Sequence, residues 1–335
     1  MKLRRLTRRA AGGGALIVLG LALLLVLAGA WSYAGPGPKA RTGEATLVLL
    51  ERGSGVRRIG ETLQDAGVIS SAGLFTLAAR LTGAASDLKA GEYEIASGAS
   101  MAKVLADIRA GRVVRRTLTI PEGWTSGMVL DAVNAEAVLT GTAEEPPEGS
   151  ILPDSYEIQR GDSRAAVIQR MRDAHDKLLA KLWASRQPGL PLATPQEAVT
   201  LASIVEKETG LASERPRVAA VFINRLRAGM LLQSDPTIIY GLTKGRPLGR
   251  GIRASELAAD SPWNSYRLAG LPPGPIANPG RASLEVVLDP PTTEELYFVA
   301  DGSGGHAFAS TYEEHAKNVE RWRAIERQRA AGTGQ

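Results

Sequence analysis

The stretch Thr194-Pro-Gln-Glu-Ala-Val-Thr-Leu-Ala-Ser-Ile-Val-Glu206-Lys-Glu208-Thr-Gly210 reads as one short helix with both ends marked. Thr194 is placed to cap it, Pro195 suits the first turn and Glu197 completes a capping box. Gly210 is placed to close it. Ala198, Leu201, Ala202 and Val205 recur at helical spacing and define a buried face. At about 100° per residue, Glu206 and Glu208 fall on opposite edges of that face, with Lys207 pointing away. A carboxylate at such a margin is partly desolvated. Burial raises its proton affinity, which is what a general acid requires near neutral pH. Helical periodicity alone does not choose between the two acids, and such residues commonly only mark where a core ends.

Working outward, a second helix is expected from about residue 214 to 228, with Ser213 as cap, Gly229 as stop and Val218, Val221, Phe222 and Leu226 as its core face. Beyond it, Gln233, Ser234, Asp235 and Tyr240 cluster within one short span. Residues 261–280 then pack prolines, amides and aromatics, Asn264, Tyr266 and Asn278 among them, into a long non-repetitive segment. A Pro-stiffened loop of this kind presents fixed hydrogen-bond partners and a stacking face, a combination suited to carbohydrate. The turn Asp301-Gly-Ser-Gly-Gly-His306 lacks the spacing of a phosphate loop. Its His306 is placed either to meet a sugar or to close the turn.

The N-terminal part has a different character. Residues 15–34 carry no charge, and twenty residues match a hydrocarbon core of about 30 Å. A basic cluster precedes them, and Trp31 and Tyr33 stand where an interfacial belt belongs. This pattern predicts an uncleaved membrane anchor with the body of the chain outside the cytoplasm. Ala28-Gly29-Ala30 also matches a cleavage site, and a removed signal peptide is the competing reading. Residues 35–43 form a Pro/Gly linker. Strands are expected at 45–50, 89–95 and 113–120, alternating with helices after Val56, after Ser70 or Ser71, and after Ser100. Residues 44–120 therefore read as a small α+β module.

Composition narrows the function. Seven of the 40 basic residues precede Glu44, the first acid, which leaves 33 basic against 35 acidic residues in the rest of the chain. The net charge of +5 thus sits at the N-terminus, and nucleic-acid binding is not expected. There are no cysteines, so disulfides and thiolate metal sites are excluded. The three histidines (His175, His306 and His315) have no ligand spacing, so no metal and no cofactor is expected.

Several blocks, in one order, resemble the endolytic murein transglycosylases of the MltG/YceG-like family. They are Glu148-Gly-Ser-Ile-Leu-Pro-Asp154-Ser-Tyr156, Leu201-Ala-Ser-Ile-Val-Glu206-Lys-Glu208-Thr, Val218-Ala-Ala-Val-Phe-Ile-Asn224-Arg-Leu, Leu232-Gln-Ser-Asp235-Pro-Thr-Ile-Ile-Tyr240-Gly, Gly270-Leu-Pro-Pro-Gly-Pro-Ile-Ala-Asn278-Pro-Gly and Leu296-Tyr-Phe-Val-Ala-Asp-Gly-Ser-Gly-Gly-His306. Two departures stand out. Ser150 and Leu152 occupy positions where the family carries an aromatic pair, and Trp263 stands where Tyr is common.

The resemblance implies an α+β architecture. It consists of a basic cytoplasmic tail (1–14), a transmembrane anchor (15–34), the linker (35–43), a LysM-like module (44–120) and a YceG-like catalytic domain (121–330). It implies cleavage within nascent peptidoglycan glycan strands at the inner membrane, alongside peptidoglycan synthases. It also implies that the first Glu of the Ile-Val-Glu-Lys-Glu block, Glu206, is catalytic. Gln233, Ser234, Asp235, Tyr240, Asn264, Tyr266 and Asn278 are then candidates for holding the sugar, with Glu208, Asn224 and His306 as secondary candidates. Two other readings stay open: a muramidase that pairs Glu206 with a second acid such as Asp235, and a peptidoglycan-binding scaffold without activity.

Overall fold

The computed structural model describes the backbone of residues 3–332 and the side chains of residues 18–329. It divides into two compact units, the first comprising residues 1–116 with 159–161 and the second residues 117–158 with 162–335.

The first unit opens with α1 (Leu3–Ala34), whose leucines from Leu19 to Leu27 are exposed, as is Trp31. Among the described residues no helix is long and apolar enough to cross a membrane. The expected tail 1–14 and the first residues of the expected anchor 15–34 have side chains outside those described. After the linker come β1 (Ala45–Leu50), α2 (Val56–Asp65), α3 (Ala72–Leu81), β2 (Gly91–Ala96) and α4 (Met101–Ala110). β1 and β2 pair antiparallel, Ala45 opposite Ala96 and Leu50 opposite Gly91. The caps follow the sequence: Ser71 and Ser100 accept from the backbone N–H three residues on, and Gly111 ends α4 in the left-handed region. Val48, Leu50, Leu63, Phe75, Tyr93, Val104 and Ile108 form the core.

The second unit contains β3 (Arg116–Thr119, whose first residue belongs to the first unit), α5 (Ser126–Ala135), β4 (Ser155–Ile158), α6 (Arg164–Ala184), α7 (Pro195–Glu208), α8 (Arg215–Arg227), α9 (Asp235–Thr243), α10 (Ala254–Leu257), α11 (Arg281–Leu288), β5 (Tyr297–Ala300), β6 (His306–Ala309) and α12 (Tyr312–Gly332). The strand expected over 113–120 is shorter than its alternation suggested, because Val114 leaves the β3 line to donate to the Glu92 carbonyl. α7 lies at the centre of the unit. From Ala198 to Val205 every residue is buried, and it packs against α6, α8, α9 and α11. A helix buried all round reads as a central core element. α9 arises in the span of Gln233, Ser234, Asp235 and Tyr240, for which the sequence set no helix. Pro236 occupies the first turn of α9, where a missing N–H costs nothing.

Candidate active site

The N-terminus of α7 is built as its sequence suggests. Thr194 Oγ1 accepts from Glu197 N at 3.2 Å. Glu197 reaches back one residue further than a capping box does, accepting from Ala193 N at 2.5 Å. The C-terminus differs from expectation. Thr209, not Gly210, ends the helix, in an extended conformation with φ −137° and its hydroxyl accepting from Leu211 N. The hydroxyl holds the exit, so the glycine is not needed as a left-handed cap. This stop leaves Glu206 and Glu208 in the last turn, directed to opposite sides of the helix.

Glu206 faces the Pro-rich segment. Its Oε2 accepts from Gly280 N at 2.9 Å and from Ser283 Oγ at 2.7 Å, and its Oε1 lies 3.5 Å from an Arg215 guanidinium nitrogen. Gly280 is the cap of α11 and has no side chain of its own to cap it. Glu206 therefore supplies, from a neighbouring helix, the anion that a helix N-terminus favours. One turn earlier on α7, the buried Ser203 Oγ accepts from Ile276 N at 3.0 Å. Together the two residues fasten the Pro-rich segment to α7. Glu122 approaches the same guanidinium nitrogen, 3.8 Å away. Burial raises its proton affinity, and the Glu206 charge adds to that.

Glu208 faces a different neighbourhood. Its Oε1 accepts from Ser234 Oγ at 2.5 Å. Burial pushes its carboxyl up to about 7, and the charge of Asp235 works in the same direction. The Ser234 hydrogen bond and the charges of His306 and Arg225 oppose the rise. Ser234 is fully buried and held from behind: its N–H donates to Ser265 Oγ at 2.8 Å, and Ser265 Oγ lies 2.8 Å from Thr237 Oγ1. Asp235 is exposed and accepts from Tyr266 Oη at 2.6 Å. Gln233, also exposed, adopts φ 52°, a left-handed conformation that costs a non-glycine residue energy and concentrates at functional sites. Arg225 is buried on the same side, donating to the carbonyls of Leu232 and Leu296.

The structure thus gathers Glu208, Gln233, Ser234, Asp235, Tyr266 and His306 at one place. Other sequence candidates are built into the framework. Asn278 has no exposed surface. Its Nδ2 donates to the Trp124 carbonyl, its Oδ1 accepts from Ile151 N, and its backbone joins Gly123 and Trp124. Asn264, 1% exposed, ties the carbonyls of Leu257 and Ala259 together and accepts from Tyr266 N. Asn224 donates to the carbonyls of Thr293 and Glu295. These three amides hold loops in place. Tyr240, 7% exposed, donates to Glu148 Oε2 at 3.2 Å and packs edge-on against Trp263. Among the described residues no cluster of three or more His, Asp or Glu could hold a metal ion.

Sequence reasoning missed Arg225, Ser265 and Glu214. Nothing in their local sequence sets Glu214 apart from other charges at a helix start, or Ser265 from other polar loop residues. The only available signal for Arg225 was its position between Asn224 and Leu226, on the face that continues the core.

Likeness to known proteins bears on this arrangement. The sequence profile of the YceG-like family matches residues 48–321. The chain is 31% identical over 330 residues to the endolytic murein transglycosylase of Streptococcus pneumoniae D39, covering 84% of this chain and 59% of that protein. It is 26% identical over 333 residues to the endolytic murein transglycosylase of Bacillus subtilis 168, covering 89% and 91%. The crystal structure of a yceG-like protein from Listeria monocytogenes aligns with a TM-score of 0.51 at 30% identity, over 82% of this chain and 99% of that one. The chain therefore spans somewhat under two thirds of the length of its pneumococcal relative.

Proposed function

Since the chain belongs to the YceG-like family, we propose that it is a lytic transglycosylase that cuts peptidoglycan glycan strands within the chain, with Glu208 as the acid and base. The observation that carries this reading is the state of Glu208: desolvated, held up to about 7, and hydrogen-bonded to the buried Ser234 hydroxyl beside the exposed Gln233 and Asp235. Glu206 is the less suitable acid, because its oxygens are committed to Gly280, Ser283 and Arg215. In this reading it positions the loop.

The chemistry needs one carboxyl. Protonated Glu208 gives its proton to the glycosidic oxygen between N-acetylmuramic acid and N-acetylglucosamine, and the C1–O bond breaks. The carboxylate then takes the proton from the C6 hydroxyl of the muramic sugar as that oxygen bonds to C1. The products are a 1,6-anhydro end and a free 4-hydroxyl; no water is consumed, and Glu208 regains its proton. A hydroxyl held in the same sugar acts at high effective concentration. Asp235, with Tyr266 on one oxygen, supplies negative charge to the oxocarbenium-like transition state. The exposed side chain of Gln233 is placed to hold the sugar.

A second reading has one observation in its favour: Asp235 beside Glu208 gives a pair of carboxylates, the equipment of a hydrolase. Mass spectrometry of products from purified glycan strands separates the two. Anhydro ends support the transglycosylase; reducing ends identify the hydrolase; no cleavage by the intact chain leaves a binding scaffold.

The apolar, uncharged segment 15–34 behind its basic tail supports a single-pass anchor in the inner membrane, with the chain after it outside the cytoplasm. Residues 44–120 are read as a LysM-like module that engages the strand. A strand cut while nascent is met where it is made, so peptidoglycan synthases are the expected neighbours.

A further inference from the structure

Tyr33 and the linker after it tie the end of α1 to the rest of the first unit. Tyr33 packs against the buried core of that unit, and α1 packs against α3 and α4. Residues 35–43 suit a spacer by composition, yet they lie along the turn between β2 and α4. Gly37 N donates to the Gly98 carbonyl at 3.1 Å, Gly98 N to the Pro38 carbonyl at 2.9 Å, and Ala40 N to Ser97 Oγ at 3.0 Å. Glycine at position 37 is required for this approach, because a Cβ there would collide with the Ala99 carbonyl oxygen. The module is thus held on the last turn of α1 rather than hung from a leash. A crevice of about 230 Å³ remains where they meet, lined by Trp31 and Ser32 from α1 and by Val68, Ile69, Ser70 and Met101 from the module. Lys39 follows Pro38, which also lines the crevice. The Arg41 guanidinium lies beside Gly67, next to Val68, and both cations are exposed.

We propose that this face of the module is a lipid contact: the crevice rests in the headgroup layer of the membrane that α1 enters, with its apolar lining toward the glycerol and upper acyl region and Lys39 and Arg41 beside the phosphates. This rests on the reading of residues 15–34 as an anchor, and not on which acid cuts the strand. Twenty uncharged residues fill a hydrocarbon core, so their last turn, with Trp31 72% exposed, ends at headgroup level. Whatever touches Trp31 and Ser32 is then at that level too. The chain carries no acid before Glu44. Nothing in the linker therefore repels an anionic headgroup, and two cations attract it. The height of the module above the bilayer is then set by packing rather than by the reach of a linker, and the module meets glycan strands at the membrane surface.

The test uses the full chain in nanodiscs of phosphatidylglycerol and phosphatidylcholine. The chain has no cysteine, so Leu24→Cys and Ser70→Cys, both at exposed positions, each carry a single nitroxide label. Collision with oxygen, which concentrates in lipid, is compared with collision with a nickel chelate, which stays in water. The oxygen-to-nickel ratio at position 24 should be at least about ten times that of a free nitroxide in buffer, and at position 70 about threefold higher or more. Gly37→Leu, which blocks the docking of the linker, should return position 70 to the buffer value and leave position 24 unchanged. A buffer-like ratio at position 24 defeats the anchor reading, and the lipid contact with it. A buffer-like ratio at position 70, with position 24 in lipid, overturns the lipid contact and leaves the anchor standing. An unmoved ratio at position 70 in folded Gly37→Leu protein overturns the docking as its cause. If Gly37→Leu does not fold, the two labels in the otherwise unaltered chain decide the lipid contact.

Discussion

Ser234 donates its hydroxyl to Glu208 Oε1 at 2.5 Å, from the residue immediately before α9. This bond joins the end of the central helix to the start of the helix that carries Asp235. It also explains why the two acids of one short motif have separate fates. Glu208 meets a neutral donor and a nearby carboxylate, whereas Glu206 meets a guanidinium and a helix N-terminus.

Glu208→Gln is expected to abolish cleavage, with a loss of about a thousandfold or more, since one group serves both proton transfers. The same change should stabilise the fold at neutral and higher pH. A carboxyl raised in the folded state contributes stability that is fully present below its ordinary value near 4.5 and is lost as pH rises through about 7. The Tm gap between the variant and the wild type should therefore widen from pH 4.5 to above 7 and then level off. Calorimetry across that range checks it; a constant gap contradicts the desolvated state of Glu208.

Cleavage itself should be level on the acid side and fall through about pH 7, because the first step needs the protonated carboxyl. The initial rate of anhydro-product release, followed from pH 5 to 9, supplies the profile. A rate that climbs through pH 7 would require Glu208 to start as a base.

Glu206→Ala should cost about 2–4 kcal/mol, because it leaves the nearly buried Arg215 without its closest carboxylate and the Gly280 N–H without an acceptor. Urea unfolding measures the loss. Glu206→Gln keeps an acceptor for Gly280 and Ser283 and should retain measurable cleavage. Complete loss of activity in a fully stable Glu206→Gln protein would return the proton-transfer role to Glu206.

Gly149→Ala tests the packing of the Pro-rich segment. Position 149 has φ 76°, and a Cβ there would lie 2.5 Å from Pro275 Cγ and 2.9 Å from Val199 Cγ1. Left-handed strain and overpacking together should cost at least about 2 kcal/mol. A substitution neutral by thermal unfolding would mean that this segment does not bear on α7.

Gln233→Gly should leave stability within about 1 kcal/mol of wild type, since relief of the left-handed strain offsets the added freedom of the unfolded chain. Substrate capture should weaken several-fold, and the change should appear in KM rather than kcat if the side chain holds a remote part of the sugar. Steady-state kinetics on glycan strands separates the two constants.

The helices and caps were legible because they rest on local rules. Thr194, Ser71 and Ser100 each cap the helix that the apolar spacing marks. The opposite placement of Glu206 and Glu208 follows from 100° per residue alone. What each acid meets could not be read, because it depends on partners far along the chain: Gly280 and Ser283 for one, Ser234 for the other. Asn278 misled for the same reason. An amide in a Pro-rich loop looks available, yet its partners Trp124 and Ile151 lie more than 120 residues away. Glu214 was hidden because a carboxylate beside a helix start has an ordinary explanation, and only the fold brings the His306 turn against it.

Ser203 and Glu206 hold the Ile276 and Gly280 amides directly to α7. These two amides should exchange more slowly than loop amides ordinarily do, because their acceptors are side chains of a helix that is buried from Ala198 to Val205. A proline-rich segment with no regular structure over 271–280 thereby gains protection at two fixed points.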